Sequence, residues 1–95
     1  MFAEANSRNY DDYESGGPTI VLQHASYAMG AFIVSYTQNI PDFDTHNLVL
    51  QYRDSEAGQW TSLDWPWQGA PAPTGDRWCQ LKYGNITSNV VKVGE

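Results

Sequence analysis

The sequence predicts an all-β fold, a sandwich of short antiparallel strands, and three observations carry that prediction. Apolar stretches are brief and rich in β-branched and aromatic residues, which suit a pleated, half-buried surface. Gly, Pro or Asn interrupts every longer run. No window repeats its apolar residues at the period of an amphipathic helix.

The first strand is expected over residues 19–26 (TIVLQHAS), which are β-branched at the start and stop before the small residues Ala28 to Gly30. The second covers 30–38 (GAFIVSYTQ), a run too short for a core helix and bounded by Gly30 and by Asn39-Ile40-Pro41. Over 47–53 (NLVLQYR), Leu48, Leu50 and Tyr52 alternate with Val49, Gln51 and Arg53, so one face points inward. A turn over 54–58 leads into a return strand over 59–63 (QWTSL). Residues 77–83 (RWCQLKY) set Cys79, Leu81 and Tyr83 against Trp78, Gln80 and Lys82. Gly84-Asn85 signals a hairpin turn, in the reverse of the most favoured Asn-Gly order. A last strand over 88–93 (SNVVKV) closes the set of six, whose near-regular spacing is that of a sandwich.

The composition limits what such a domain can be. A chain of 95 residues holds one domain, and 41% hydrophobic against 17% charged residues is too apolar for a disordered chain. Eleven Asp and Glu outweigh five Lys and Arg, giving a formal charge of −6 that repels a nucleic acid. No apolar stretch approaches a membrane span, and Met1-Phe2-Ala3-Glu4 lacks the basic and apolar regions of a signal peptide. Cys79 is the sole cysteine, which leaves no intrachain disulfide and no multi-cysteine metal site.

The chain divides into two expected parts, a polar acidic arm over 1–18 and the sandwich over 19–95. The arm, with its Gly16-Gly17-Pro18 breaker, reads either as a disordered leader or as a segment that docks on a partner through Phe2, Tyr10 and Tyr13.

Short motifs from Gly30 to Val93 resemble an immunoglobulin-like sandwich, closer in detail to a fibronectin type III module. The apolar-Ser-aromatic step of Val34-Ser35-Tyr36 is similar to the end of that family's second strand. Tyr52-Arg53 followed by a turn and Trp60 resembles its third strand and return. The last hairpin, with Cys79, Leu81 and Tyr83 inward and then Asn85, Ser88, Val91 and Val93, is similar as well. Gly75 and Cys79 keep the spacing of the Gly and Cys in the sixth strand of antibody-type domains. Arg77 stands where the resemblance implies the tyrosine of the tyrosine corner, and the second strand has no Cys to pair with Cys79. Where the family places a further strand, residues 64–76 carry prolines at 66, 71 and 73, which suit a loop or an edge.

Few residues offer chemistry. The two histidines, His24 and His46, imply no acid–base pair by spacing. Cys79 alternates with Leu81 and Tyr83, as a small buried hydrophobe does. Asp42, Asp44 and His46 set three ligand types at alternate positions for a divalent ion, but the Gly and distal Glu of a calcium loop are missing. A solvated polar loop is the expected reading, with no metal and no cofactor. Asn85-Ile86-Thr87 fits the N-glycosylation pattern.

The most unusual feature is Asp64-Trp65-Pro66-Trp67. Exposed Trp rings there, with Trp78, offer contact surfaces for protein or stacking platforms for sugars. The alternative is that one of them, aided by Trp60, plugs the open side of a core of about 75 residues, a size that buries only ~60% of its unfolded surface. The expected function is a non-enzymatic structural or binding module. The resemblance extends to decoration and fibre proteins of bacteriophage particles, which implies a virion accessory subunit anchored by its arm to capsid or tail proteins. A carbohydrate-binding or adhesion module of a larger secreted protein, contacting surface glycans through Trp60, Trp65, Trp67 and Trp78, is the second expectation. The virion surface or the extracellular space follows as the location.

Overall fold

A computed structural model describes residues 17–55, 57–72 and 75–94. The arm anchors Phe2, Tyr10 and Tyr13 lie outside the described residues. The described chain is all-β and forms seven strands: β1 (Ile20–Ala28), β2 (Ala31–Gln38), β3 (Val49–Arg53), β4 (Thr61–Asp64), β5 (Trp78–Tyr83), β6 (Ile86–Thr87) and β7 (Val91–Lys92). Among the described residues no helix is long and apolar enough to cross a membrane.

Strands β1 and β2 form an antiparallel hairpin that stands as a sheet of its own. Its turn is Met29-Gly30, with φ of 54° and 83°. Two positive φ values in sequence match the twist of the flanking strands, as in a type I′ turn. The first strand therefore runs two residues beyond its expected end, because Tyr27 and Ala28 still pair with Phe32 and Ala31. A register shift between Leu22 and His24 bulges β1 against a regular β2.

The second sheet runs in the order β4-β3-β5-β6, with β7 also on β5, and every pairing is antiparallel. The expected last strand over 88–93 is shortened to β7, and an unexpected two-residue strand, β6, precedes it. Tyr83 pairs with Ile86 across the Gly84-Asn85 turn, the chain loosens at Ser88–Val90, and pairing resumes at Val91 opposite Cys79. Ser88 fills the interruption, since its N–H reaches the Leu81 carbonyl at 2.8 Å and its Oγ accepts the Leu81 N–H at 2.8 Å. The ladder keeps its hydrogen bonds where the strand lapses.

The inner faces of the two sheets share one core. Ile20, Leu22, Ala25 and Phe32 come from the first sheet, while Leu48, Leu50, Cys79 and Leu81 come from the second and its approach. The alternations in β3 and β5 fall as their patterns predict, with Leu50, Cys79 and Leu81 fully buried. Two long-range contacts tie the layers together. Asn89 exchanges hydrogen bonds with both backbone groups of Leu22 at 2.9 Å, and Gly94 donates to the Ala25 carbonyl at 2.8 Å. The arrangement is compatible with an immunoglobulin-like β fold.

Candidate functional site

The Trp-Pro-Trp segment leaves β4 and crosses to the hairpin sheet. The Trp65-Pro66 peptide is cis, and Trp67 follows with φ of 61°. That left-handed conformation is unfavourable for any residue with a Cβ and is held only where surroundings fix it. Here the Trp67 N–H donates to the Asp64 carbonyl at 2.8 Å, and its own carbonyl accepts from Phe32 N–H at 3.1 Å. Its ring is buried, and the ring N–H donates to the Leu48 carbonyl at 3.1 Å. Gly69, at φ 94°, then donates to the Gly30 carbonyl, so 67–69 lie beside the start of β2.

Trp67 therefore fills the core and presents no contact surface. Buried area outweighs exposure for so large an apolar ring once its single polar atom is satisfied. Trp65 remains at the surface with 39% of its area exposed. Trp78 is half-buried on the outer face of β5, and Trp60 lies under Arg53, whose guanidinium sits 4.2 Å from the ring centroid. The four rings form no common platform.

Around Trp65 the surface is polar and aromatic. The His46 imidazole meets its ring edge-on, with centroids 4.9 Å apart. Asp44 accepts from His46 N–H at 3.0 Å and lies 3.1 Å from its Nδ1. Those two bonds, the backbone one foremost, hold the Asp44 carboxyl below its ordinary range. The pairing of His46 with Asp44 was not evident from spacing alone. Tyr83 Oη accepts from Asp44 N–H at 3.2 Å, and the Tyr83 ring stacks on Phe43 with centroids 5.0 Å apart.

The same local geometry overturns the extended ligand set of Asp42, Asp44 and His46. Asp42 has φ of 55°, and Asp44 caps a short 3-10 turn over Thr45–Asn47, so the three side chains do not alternate along an extended segment. Among the described residues no three His, Cys, Asp or Glu side chains gather as a metal group.

Arg77 has no site role in the sequence reading, which marks it only as a departure from the resemblance. It is only 3% exposed. Its Nε donates to Asp54 Oδ1 at 2.8 Å, Nη1 donates to the Pro71 carbonyl at 2.9 Å, and the guanidinium sits 4.6 Å from the Tyr52 ring centroid. A cavity of about 340 Å³ lies beside it, lined by Asp54, Pro71, Ala72, Gly75, Asp76 and Arg77. Its two carboxylates are already engaged, Asp54 with Arg77 and Asp76 with Lys92 at 3.2 Å. The place of Arg77 two residues before Cys79 continues the inward alternation of Cys79 and Leu81, but a charged side chain gives no sign of burial by type.

Cys79 lies in the core without exposure, and burial lifts its thiol from an ordinary 9.0 to about 11. A raised folded-state value means that its stabilising contribution is complete below pH 9.0 and is lost as pH rises toward 11. A thiol reagent should therefore modify folded Cys79 far more slowly than the unfolded chain. Cys79→Ser is expected to lower stability by about 1–3 kcal/mol in urea unfolding, since a hydroxyl replaces an apolar thiol in the core. A neutral substitution joined to rapid labelling would contradict the buried placement.

No protein-family model, curated protein or solved structure matches the chain.

Proposed function

We propose that the chain is a non-enzymatic, immunoglobulin-like binding module: a small accessory subunit of a larger protein assembly, of the kind that decorates a virion, attached by its first 18 residues. The immunoglobulin-like reading draws support from the division of strands, β1 and β2 in one sheet and β4-β3-β5 with the short β6 and β7 in the other. The parallel bridge between Ser26 and Gly94 supports it too. Arg77 lends further support, because its bond to the Pro71 carbonyl ties the start of a strand to backbone six residues upstream. A corner tyrosine makes the same kind of tie through its hydroxyl.

The observation that carries the reading of a protein-contact module is the use of the tryptophans. A sugar platform needs rings free on one side, and here Trp67 is spent in the core while Trp60 is covered by Arg53. The most exposed of the four is Trp65 beside His46 and Asp44, a mixed aromatic and polar spot suited to a protein partner.

Deletion of residues 1–17 is expected to abolish co-sedimentation of the chain with its parent particle while far-UV circular dichroism shows the sandwich intact. Normal incorporation of the shortened chain would remove the arm from the proposal. Titration of the intact chain with oligosaccharides should leave Trp fluorescence unchanged, and saturable quenching would favour the glycan-binding alternative.

A further inference from the structure

The strand edges of this domain are treated unequally. On β1, the outward backbone groups of Leu22 are bonded to the Asn89 amide, and the Ala25 carbonyl to Gly94. Strand β4 has only four residues and runs into Asp64 and Pro66, while β6 and β7 have two residues each. Shortness, charge and proline are the usual guards against edge pairing. Strand β2 has none of them: it is eight residues long (AFIVSYTQ), regular, uncharged and free of proline.

The pairing fixes which groups face outward. In a two-residue hairpin Ala28 and Ala31 exchange both hydrogen bonds, so Ile33, Ser35 and Thr37 also turn their backbone groups toward β1. Phe32, Val34 and Tyr36 turn theirs away, in accord with the Phe32 N–H bonding to Trp67. Beyond that bond, β2 has no second strand neighbour among the described residues. Among the described residues the free edge runs from Ile33 to Gln38.

We propose that this edge docks a second copy of the chain, β2 against β2 about a two-fold axis, to form a continuous sheet β1-β2-β2-β1. The available edge limits the register. Residues 67–69 occupy the start of β2, so an antiparallel partner lies clear of Phe32, and the match over 33–37 sets Ser35 facing its own copy. Val34 and Tyr36 of the two copies then exchange backbone hydrogen bonds, and Ile33 stands opposite Thr37. The side chains suit this match, since Val34 beside Tyr36 is a β-branched and aromatic pair. Ile33, 57% exposed on the outer face, gains a neighbour. Charge supports a copy as the occupant: on a chain of net charge −6, β2 is an uncharged strip where two copies meet without repulsion. This inference does not depend on the proposed function.

Amide hydrogen exchange on the full chain between about 10 μM and 1 mM tests it over the range of a weak homodimer. Protection of Val34 and Tyr36 should rise with concentration, in step with a larger mass by sedimentation, while Ile33 and Ser35 stay protected throughout. Under mild oxidation Ser35→Cys should form a disulfide-linked dimer, because facing Cα atoms lie about 4.5 Å apart at such a pair. Thr37→Cys, whose copies lie apart, should not. Ile33→Lys should weaken the dimer about tenfold or more with its melting transition unchanged. A monomer at the highest concentration with unprotected Val34 and Tyr36 would overturn the proposal. Concentration-independent protection would overturn it as well, by showing that the edge is filled within one chain. Equal cross-linking by Ser35→Cys and Thr37→Cys would refute the register.

Discussion

Trp67→Ala is expected to destabilise the domain by about 3–5 kcal/mol, measured by urea unfolding followed with far-UV circular dichroism. Three losses combine. The buried ring leaves a void beside the core, the Leu48 carbonyl loses its donor, and the new residue still has to adopt φ of 61°. The last term makes the expectation specific. Trp67→Gly removes the same ring but relieves the left-handed backbone, so its cost should fall below that of alanine by about 1 kcal/mol. Trp67→Phe keeps most of the apolar volume and loses the ring N–H, which predicts an intermediate loss of about 1–3 kcal/mol. Trp65→Ala serves as the contrast, because its ring is partly exposed and lies against an exposed His46, and its cost should stay within about 1 kcal/mol. Equal costs at 65 and 67 would mean that the core does not depend on the Trp67 ring.

The asymmetry between the two tryptophans shows where sequence reasoning reaches its limit. Strands β3 and β5 are legible because one face of each is buried, and Leu48, Leu50, Cys79 and Leu81 record that burial as a period of two. Trp65 and Trp67 also stand two apart, yet a cis peptide followed by a left-handed residue separates their environments. No local pattern encodes the bond from the Trp67 ring to Leu48, nineteen residues away. The same holds for the last strand. Its apolar residues are visible, but its late start at Val91 depends on Ser88 bonding Leu81 from across the hairpin. The free edge of β2 is invisible for a related reason, since whether a strand has one neighbour or two is decided by distant segments. At the surface, the Asp42-x-Asp44-x-His46 alternation presumed extended backbone, and the 3-10 turn at Thr45–Asn47 removed that presumption.

Arg77 and Asp54 predict the second large effect, and its direction depends on which partner is removed. The pair is lopsided: the Arg77 side chain is 3% exposed, whereas that of Asp54 is 72% exposed. Asp54→Ala leaves a guanidinium inside the domain with the Pro71 carbonyl and the Tyr52 and Phe32 rings for compensation. A buried charge stripped of its counter-ion is among the costlier single changes, and the adjoining cavity admits some water, so a loss of about 2–4 kcal/mol is expected. Arg77→Met deletes the charge itself. Asp54 then returns to solvent, the methionine retains most of the apolar stem, and the remaining cost is the Pro71 bond and the cation–π contact, about 1–2 kcal/mol. Removing the exposed partner should thus hurt more than removing the buried one, the reverse of a ranking by burial alone. In the double variant Asp54→Ala with Arg77→Met, the loss should fall close to that of Arg77→Met alone, because no buried charge is left to compensate. Urea unfolding of the three variants measures this coupling directly. Additive losses would show that Arg77 is solvated through the cavity and that the corner is held by packing against Tyr52 and Phe32 instead.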